Sequence, residues 1–380
     1  MTTEQSLDQP TAGQPAGQPA VNPDALNELV GRVITDAGGA LVLPLALLGD
    51  RLGLFTALAG GGPASAADLA ERTGLSERYL REWLLAMAAA GYVTYQDGAD
   101  GAGDDRSAAT ARYRLSPEQA EAFTNPDSPA YVAGGFQNLT AATRMLDRLT
   151  DAFRSGAGID WSDQHEDMFE GTERFFRPGY LANLTSAWIP ALSGAEEKLT
   201  EGARVADVGC GFGASTIIMA QAYPNSTFDG LDYHQPSIEA AQGRAAAAGV
   251  TGQVTFRVAG TADLSGRYDL ITFFDCLHDM PDPVGALRSA RAAMADGGSV
   301  MLVEPMSWDT VGEALNPLGK VLAGASAFVC LPSGLSADPA YGLGNQAGPA
   351  RTCAVAREAG FAIAREAAAT DFNRVYELRS

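Results

Sequence analysis

The chain has 380 residues, 46% hydrophobic and 19% charged, a globular composition with room for two or three domains. Its formal net charge of −20 argues against nucleic acid and anionic membrane surfaces as partners, since both are bound through lysine and arginine. Cys210, Cys276, Cys330 and Cys353 show no CxxC spacing, so neither a zinc site nor a disulfide framework is expected, and a reducing compartment fits.

Residues 1–23 carry the near-repeat Gly13-Gln14-Pro15-Ala16 and Gly17-Gln18-Pro19-Ala20. With few apolar residues they are expected to form a disordered tail. They lack the basic start and apolar core of a signal peptide. The longest apolar run, Leu41 to Leu48, is too short to span a bilayer, so an intracellular, cytoplasmic protein is expected.

Residues 24–118 read as helices followed by a little β structure. A short helix opens at Pro63 to Ala70, and Thr73-Gly74-Leu75-Ser76 makes a turn with Ser76 as N-cap of the next. Tyr79, Leu80, Trp83, Leu84 and Met87 fall on one face of that second helix. Gly91 ends it, Gly91 to Tyr95 reads as a strand, Asp97 to Ala111 is polar, and Tyr113 to Leu115 continues as strand. This order is a winged-helix pattern. The segment holds 13 acids against 8 bases, a net of −5, and its would-be recognition helix balances Arg78 and Arg81 with Glu77 and Glu82. DNA binding lacks its electrostatic footing there, and a dimerisation or lid role is expected instead.

Residues 119–200 are helical and aromatic, with Tyr131, Phe136, Trp161, Phe169, Phe175, Phe176, Tyr180 and Trp188 expected mostly in the core. They form a connector that could cover a cofactor. From 201 to 380, strands and helices alternate. Strands are read at 204–208, 226–231, 253–259, 268–274 and 298–304, and helices at 214–223, 235–248 and 282–295. Such alternation predicts a parallel sheet covered on both faces. Phe361 to Glu366 and Asn373 to Leu378 read as an antiparallel edge hairpin. The stretch from Pro305 to Gly348 reads as substrate wall or lid, with Gly342 to Gly348 as a turn.

The sharpest motif is Val205-Ala206-Asp207-Val208-Gly209-Cys210-Gly211-Phe212-Gly213. Its glycines allow a tight turn at a strand end and close approach of a ligand. Asp232, at the tip of the second strand, would accept both hydroxyls of a ribose, and Tyr233 would lie against an adenine. Gly209-x-Gly211-x-x-Ala214 also satisfies the dinucleotide fingerprint, so a nicotinamide enzyme is a rival. Asp207 tilts the choice. An acid two places before the first glycine suits a cationic ligand such as S-adenosylmethionine (SAM), which carries an ammonium and a sulfonium.

From Asp207 to Gly213 the chain resembles motif I of class I SAM-dependent methyltransferases, and Asp232 resembles the acid of motif II. The resemblance implies that Asp207 helps hold the methionine amino group and that Gly209, Cys210, Gly211 and Gly213 line the cofactor. Gly260-Thr261-Ala262-Asp263 resembles the adenine-binding segment, with Thr261 where an acid is common. Leu277-His278-Asp279-Met280 resembles the Leu-His-Asp-Trp motif of plant-type and bacterial small-molecule O-methyltransferases, in which the histidine is a general base. The resemblance makes His278 the base and Glu304, at the end of the fifth strand, its orienting acid. Asp275 and Cys276 would touch SAM largely through backbone, and Tyr180 or Arg177 would meet its carboxylate.

The implied fold is α/β: a Rossmann-like seven-stranded methyltransferase domain over 201–380, a connector over 119–200, and an N-terminal, mainly helical winged-helix dimerisation domain over 24–118. The implied reaction is SAM-dependent methyl transfer to a small-molecule hydroxyl by a homodimer. No acid cluster is spaced like a divalent-cation site, so no metal is expected. The alternatives are transfer to nitrogen or carbon, a non-methylating enzyme that uses SAM structurally, and a winged-helix regulator.

Overall fold

The computed structural model describes residues 20–96 and 111–380. Most of the expected tail and of the polar stretch after Gln96 therefore lies outside the described residues.

Two compact units divide the chain after Val42. The described part of the first belongs to a helix, Pro23–Arg51. Leu26, Leu29, Val30, Val33, Ile34 and Leu41 recur along it at helical spacing and are 47–71% exposed. Asp24, Glu28, Arg32 and Asp36 occupy the opposite face. The 29-residue helix is long and apolar enough to cross a membrane, which the run Leu41 to Leu48 alone did not suggest. Its two-faced pattern fits a protein contact on one side.

The second unit starts with the helical module. Ala66–Thr73 is capped by a reciprocal pair, Ser65 Oγ accepting from Asp68 N–H at 3.1 Å and Asp68 Oδ2 from Ser65 N–H at 2.8 Å. Ser76 stands at the N-cap of Glu77–Ala89, but its side chain makes no capping bond. Leu80, Trp83, Leu84 and Met87 are buried as expected, whereas Tyr79 is 81% exposed. Tyr79 lies one residue outside the i, i+3, i+4, i+7 stripe, and its hydroxyl keeps water. The following strand is shorter than read. Gly91, at φ 75°, turns the chain so that the amides of Tyr92 and Val93 close the helix on Met87 O. β1 is therefore only Thr94–Gln96, paired antiparallel to β2, Arg112–Arg114.

Connector helices follow, including Ala133–Thr143 and Glu166–Asn183, which pack on each other. Arg174 ties them to the preceding module through Asp50 (2.9 Å) and donates within the connector to the Tyr131 hydroxyl. Tyr131, Phe136, Tyr180 and Trp188 are core, while Trp161, Phe169, Phe175 and Phe176 are half-buried.

The remaining strands are β3 Arg204–Val208, β4 Thr227–Asp232, β5 Val254–Val258, β6 Tyr268–Phe274, β7 Met294–Pro305, β8 Ile363–Ala369 and β9 Asn373–Arg379. They form one seven-stranded sheet of order β5-β4-β3-β6-β7-β9-β8. The five strands β3 to β7 are parallel, and β9 and β8 add the expected antiparallel hairpin at the edge. Apolar residues on both faces, such as Val205, Leu270 and Met301 against Ala206, Ile271 and Leu302, are 0–2% exposed, as a sheet covered by helices on both sides requires. The chain winds outward from β3 to β5 and then in the other direction through β6 and β7. The crevice at that reversal, beyond the carboxyl ends of β3 and β6, is where an open α/β sheet binds ligands.

Candidate active site

The loop after β3 uses three left-handed glycines in alternation, with φ 69° at Gly209, 52° at Gly211 and 81° at Gly213. Side chains rarely adopt this backbone, so the turn depends on glycine. A Cβ at Gly211 would meet nothing within 4 Å, which leaves its face of the loop open to a ligand. The loop is pinned to β4 by its own amides. Gly209 N–H and Cys210 N–H donate to Leu231 O, and Gly211 N–H donates to Asp232 Oδ2 at 2.9 Å. Asp232 Oδ1 accepts from His234 N–H at 2.9 Å. The buried carboxylate thus takes one amide on each oxygen and keeps lone pairs for two further donors, the number a ribose diol supplies. Burial pushes its carboxyl above the usual range, against the two amide bonds. Tyr233 is 51% exposed and its hydroxyl contacts Asp160 at 3.3 Å, leaving a ring free to stack. Thr261, Ala262 and Asp263 form a short 3₁₀ turn after β5, with Asp263 accepting from Gly260 N–H.

Asp207 is placed differently from the expectation. Its carboxylate is buried and accepts from the hydroxyls of Ser215 and Thr216 at 2.6 Å and of Thr272 at 2.9 Å. It holds the loop, the first turn of helix Ala214–Ala222 and β6 together, with hydroxyls where an ammonium was expected. Cys210 is buried beneath the loop, and Cys276 donates its thiol to Val208 O at 3.2 Å.

The tips of β6 and β7 carry the second half of the site. Phe274 pairs with Val303, so Asp275 and Glu304 emerge side by side. Asp275 has φ 50°, an unusual backbone for a residue with a side chain. Its carboxylate accepts from Tyr180 Oη–H at 2.8 Å and from Asn373 Nδ2 at 2.7 Å. Burial, eased by the Tyr180 bond and reinforced by Glu304, pushes that carboxyl up to about 8. Tyr180 therefore reaches the β6 tip, but Arg177 turns away to Asp127 at 2.7 Å.

His278 follows in a 3₁₀ turn and is 3% exposed. Its Nδ1 is hydrogen-bonded to Glu304, as expected, and its Nε2 lies 3.1 Å from Asp279 Oδ1. Burial works against an imidazolium here, but the carboxylates of Asp279 and Glu304 outweigh it and raise the imidazole well above its ordinary range. Three further neighbours were not legible in the sequence. Cys330 ends a π-helical turn, Ser326–Cys330, and sits against His278 and Asp279. Asn345, buried, donates to Cys330 Sγ at 3.4 Å. Gly344 N–H donates to His278 O, so the Gly342 to Gly348 segment, read as a turn, is docked on the base. The rest of the 305–348 segment borders a groove of about 1010 Å³ lined by Trp308, Leu315, Lys320 and Gln346 among others.

Residues 199–325 match a methyltransferase domain, and residues 39–125 match an Rv2258c-like winged HTH domain. A 3-hydroxy-5-methyl-1-naphthoate 3-O-methyltransferase from Streptomyces sahachiroi is 31% identical over 66% of this chain and 70% of its own length. The chain belongs to the small-molecule O-methyltransferase family of class I SAM-dependent enzymes. A ubiquinone biosynthesis O-methyltransferase from Bordetella avium is 34% identical to this chain, over 40% of the chain and 57% of that protein. The chain thus spans only about half the length of several curated relatives that it matches. Solved structures share its fold. The mitomycin 7-O-methyltransferase MmcR has TM-score 0.64 at 19% identity, covering 94% of this chain and 100% of that one. Human N-acetylserotonin methyltransferase in complex with SAM has TM-score 0.66 at 18% identity, covering 92% and 97%.

SAM is the family's cofactor, and the open face at Gly211, the spare lone pairs of Asp232 and the exposed Tyr233 ring fit its nucleoside. Asp232→Ala is expected to weaken S-adenosylhomocysteine binding roughly 100-fold in calorimetry, since bonds to a charged acceptor contribute about 1.5–3 kcal/mol each. An unchanged affinity would remove Asp232 from the cofactor site.

Proposed function

We propose that the protein methylates a hydroxyl of a small aromatic molecule, with His278 as general base. The observation that carries this reading is the buried Glu304–His278 pair at the tips of β6 and β7, beside the glycine loop. A histidine with one nitrogen held by a carboxylate presents the other for proton transfer. SAM, when bound, supplies a methyl group made electrophilic by its sulfonium.

Glu304 holds the proton on Nδ1; between two carboxylates the resting ring also carries a proton on Nε2, and its loss to solvent as Asp279 moves aside frees the Nε2 lone pair. Nε2 would take the acceptor's hydroxyl proton, for which Asp279 must cede its place beside Nε2; the methyl–sulfur bond of SAM would break as the oxygen is methylated, leaving S-adenosylhomocysteine. Asp275, Tyr180 and Asn373 hold the β6 tip rigid under the site. The glycine loop and Asp232 orient the cofactor, and Asp207 braces the loop from behind. An aromatic acceptor is favoured because the Streptomyces relative is named for a naphthoate. An amine acceptor would need no base.

We also propose a homodimer built on the exposed apolar stripe of Pro23–Val42, from Leu26 to Leu41. A contiguous stripe of this kind on one helix face calls for a partner. The four cysteines are all free, in keeping with a cytoplasmic setting.

His278→Ala is expected to lower turnover roughly 10²–10⁴-fold with S-adenosylhomocysteine affinity intact. Full turnover of this variant would end the base assignment, and a product methylated on nitrogen or carbon would end the hydroxyl assignment. Light scattering is expected to report twice the 39.5 kDa chain mass, reverting to one chain in Leu29→Glu/Val33→Glu. A monomeric native protein would contradict the dimer.

A further inference from the structure

We propose that His278, Asp279 and Cys330 form a zinc(II) site, and that an ion held there switches the base off. The second half of this rests on the base role of His278, while the first stands on geometry alone.

A ring nitrogen of His278, a carboxylate oxygen of Asp279 and Cys330 Sγ all lie within 4.8 Å of one another. In a tetrahedral zinc site such donors stand roughly 3.3–3.6 Å apart, as the usual bond lengths require. Closure of about 1 Å would complete the site. The donor set of one imidazole, one carboxylate and one thiolate is suited to zinc, and three protein ligands leave a fourth position open.

Three further observations point to an ion. First, Nδ1 of His278 is engaged by Glu304, the outer-shell carboxylate that metal-bound histidines commonly have, so Nε2 is the nitrogen left to meet an ion. Second, Asp279 Oδ1 is buried and faces His278 Nε2 at 3.1 Å, so a carboxylate oxygen already stands beside the ring nitrogen. Third, Cys330 is carried by a π-helical turn, a rare and costly distortion that clusters at functional sites, and Asn345 Nδ2 already points a donor at its sulfur. Asp279, 18% exposed at its side chain, gives the ion a way in.

On binding, the ion takes the Nε2 lone pair and a lone pair from the Asp279 carboxylate. Cys330 binds as thiolate and His278 as neutral imidazole, so the thiol proton and the Nε2 proton both pass to solvent. No electron transfer is involved. Nε2 is then unavailable to the acceptor's hydroxyl proton, and methyl transfer stops until the ion leaves.

Cobalt(II) tests this, because it occupies zinc sites and reports its ligands by colour. The full-length protein, freed of metal by chelation, is titrated with cobalt(II). The expected result is one equivalent bound, with tetrahedral visible bands and a sulfur-to-cobalt charge-transfer band, all bleached by zinc(II). Cys330→Ser should lose the charge-transfer band while still binding S-adenosylhomocysteine. Zinc(II) should inhibit native turnover to completion, and Cys330→Ser should need at least tenfold more of it. Absence of the charge-transfer band in the native protein, or its survival in Cys330→Ser, overturns the site. Full turnover with zinc bound overturns the switch. If His278→Ala alone kept its turnover, the base role would fall but the cobalt spectrum would still decide the site.

Discussion

An imidazole buried between two carboxylates is the interaction around which the site is built. His278 and Glu304 are taken from water, with the Asp279 side chain 18% exposed, and stripping water from charged groups costs several kcal/mol per ion unless their partners are well placed. That placement comes from the sheet. The parallel register of β6 on β7 sets Asp275 beside Glu304, and the 3₁₀ turn after Asp275 brings His278 back over Glu304. Asp275 accepts an unfavourable backbone conformation to make the turn, held by Tyr180 from the connector and Asn373 from β9. A buried strained tip secured by two distant elements is a rigid platform, which a base must have if it is to meet one proton on one acceptor.

The cofactor side follows a different logic. The glycine loop binds through backbone, so its shape must be fixed without filling the space it opens. Asp207 does this from behind with three hydroxyl partners, and Asp232 does it from the side through Gly211 N–H. Both carboxylates were read as ligands of the cofactor. The difference between them is access: Asp207 spends its oxygens on hydroxyls inside the sheet, whereas Asp232 stands at a strand tip with acceptor capacity left.

Much of this was legible in the chain because it is local. Glycines within six residues of an acid, a second acid at the next strand end and a histidine just past the fourth strand lie in short segments whose spacing reports their geometry. The sheet and its edge hairpin were legible for the same reason, since alternating apolar segments set strand and helix directly. What escaped depends on contacts between remote segments. Cys330 and Asn345 reach His278 from 52 and 67 positions further on, and nothing in their own surroundings marks them. Tyr79 was misread because a neighbour of the apolar stripe looks apolar by type, and only packing tells which side it takes. The strand expected from Gly91 was shortened by backbone closure of the preceding helix, which residue preference does not register.

The central claim is that His278 removes the acceptor's proton as the methyl group arrives. The most direct measurement compares the native enzyme and His278→Ala on a series of phenolic acceptors of graded acidity at one pH. The account predicts a large loss in the variant for phenols that are protonated in solution. The loss should shrink towards none as the phenol becomes acidic enough to arrive already ionised. A constant loss across the series would contradict the account and leave His278 as a packing residue of the site.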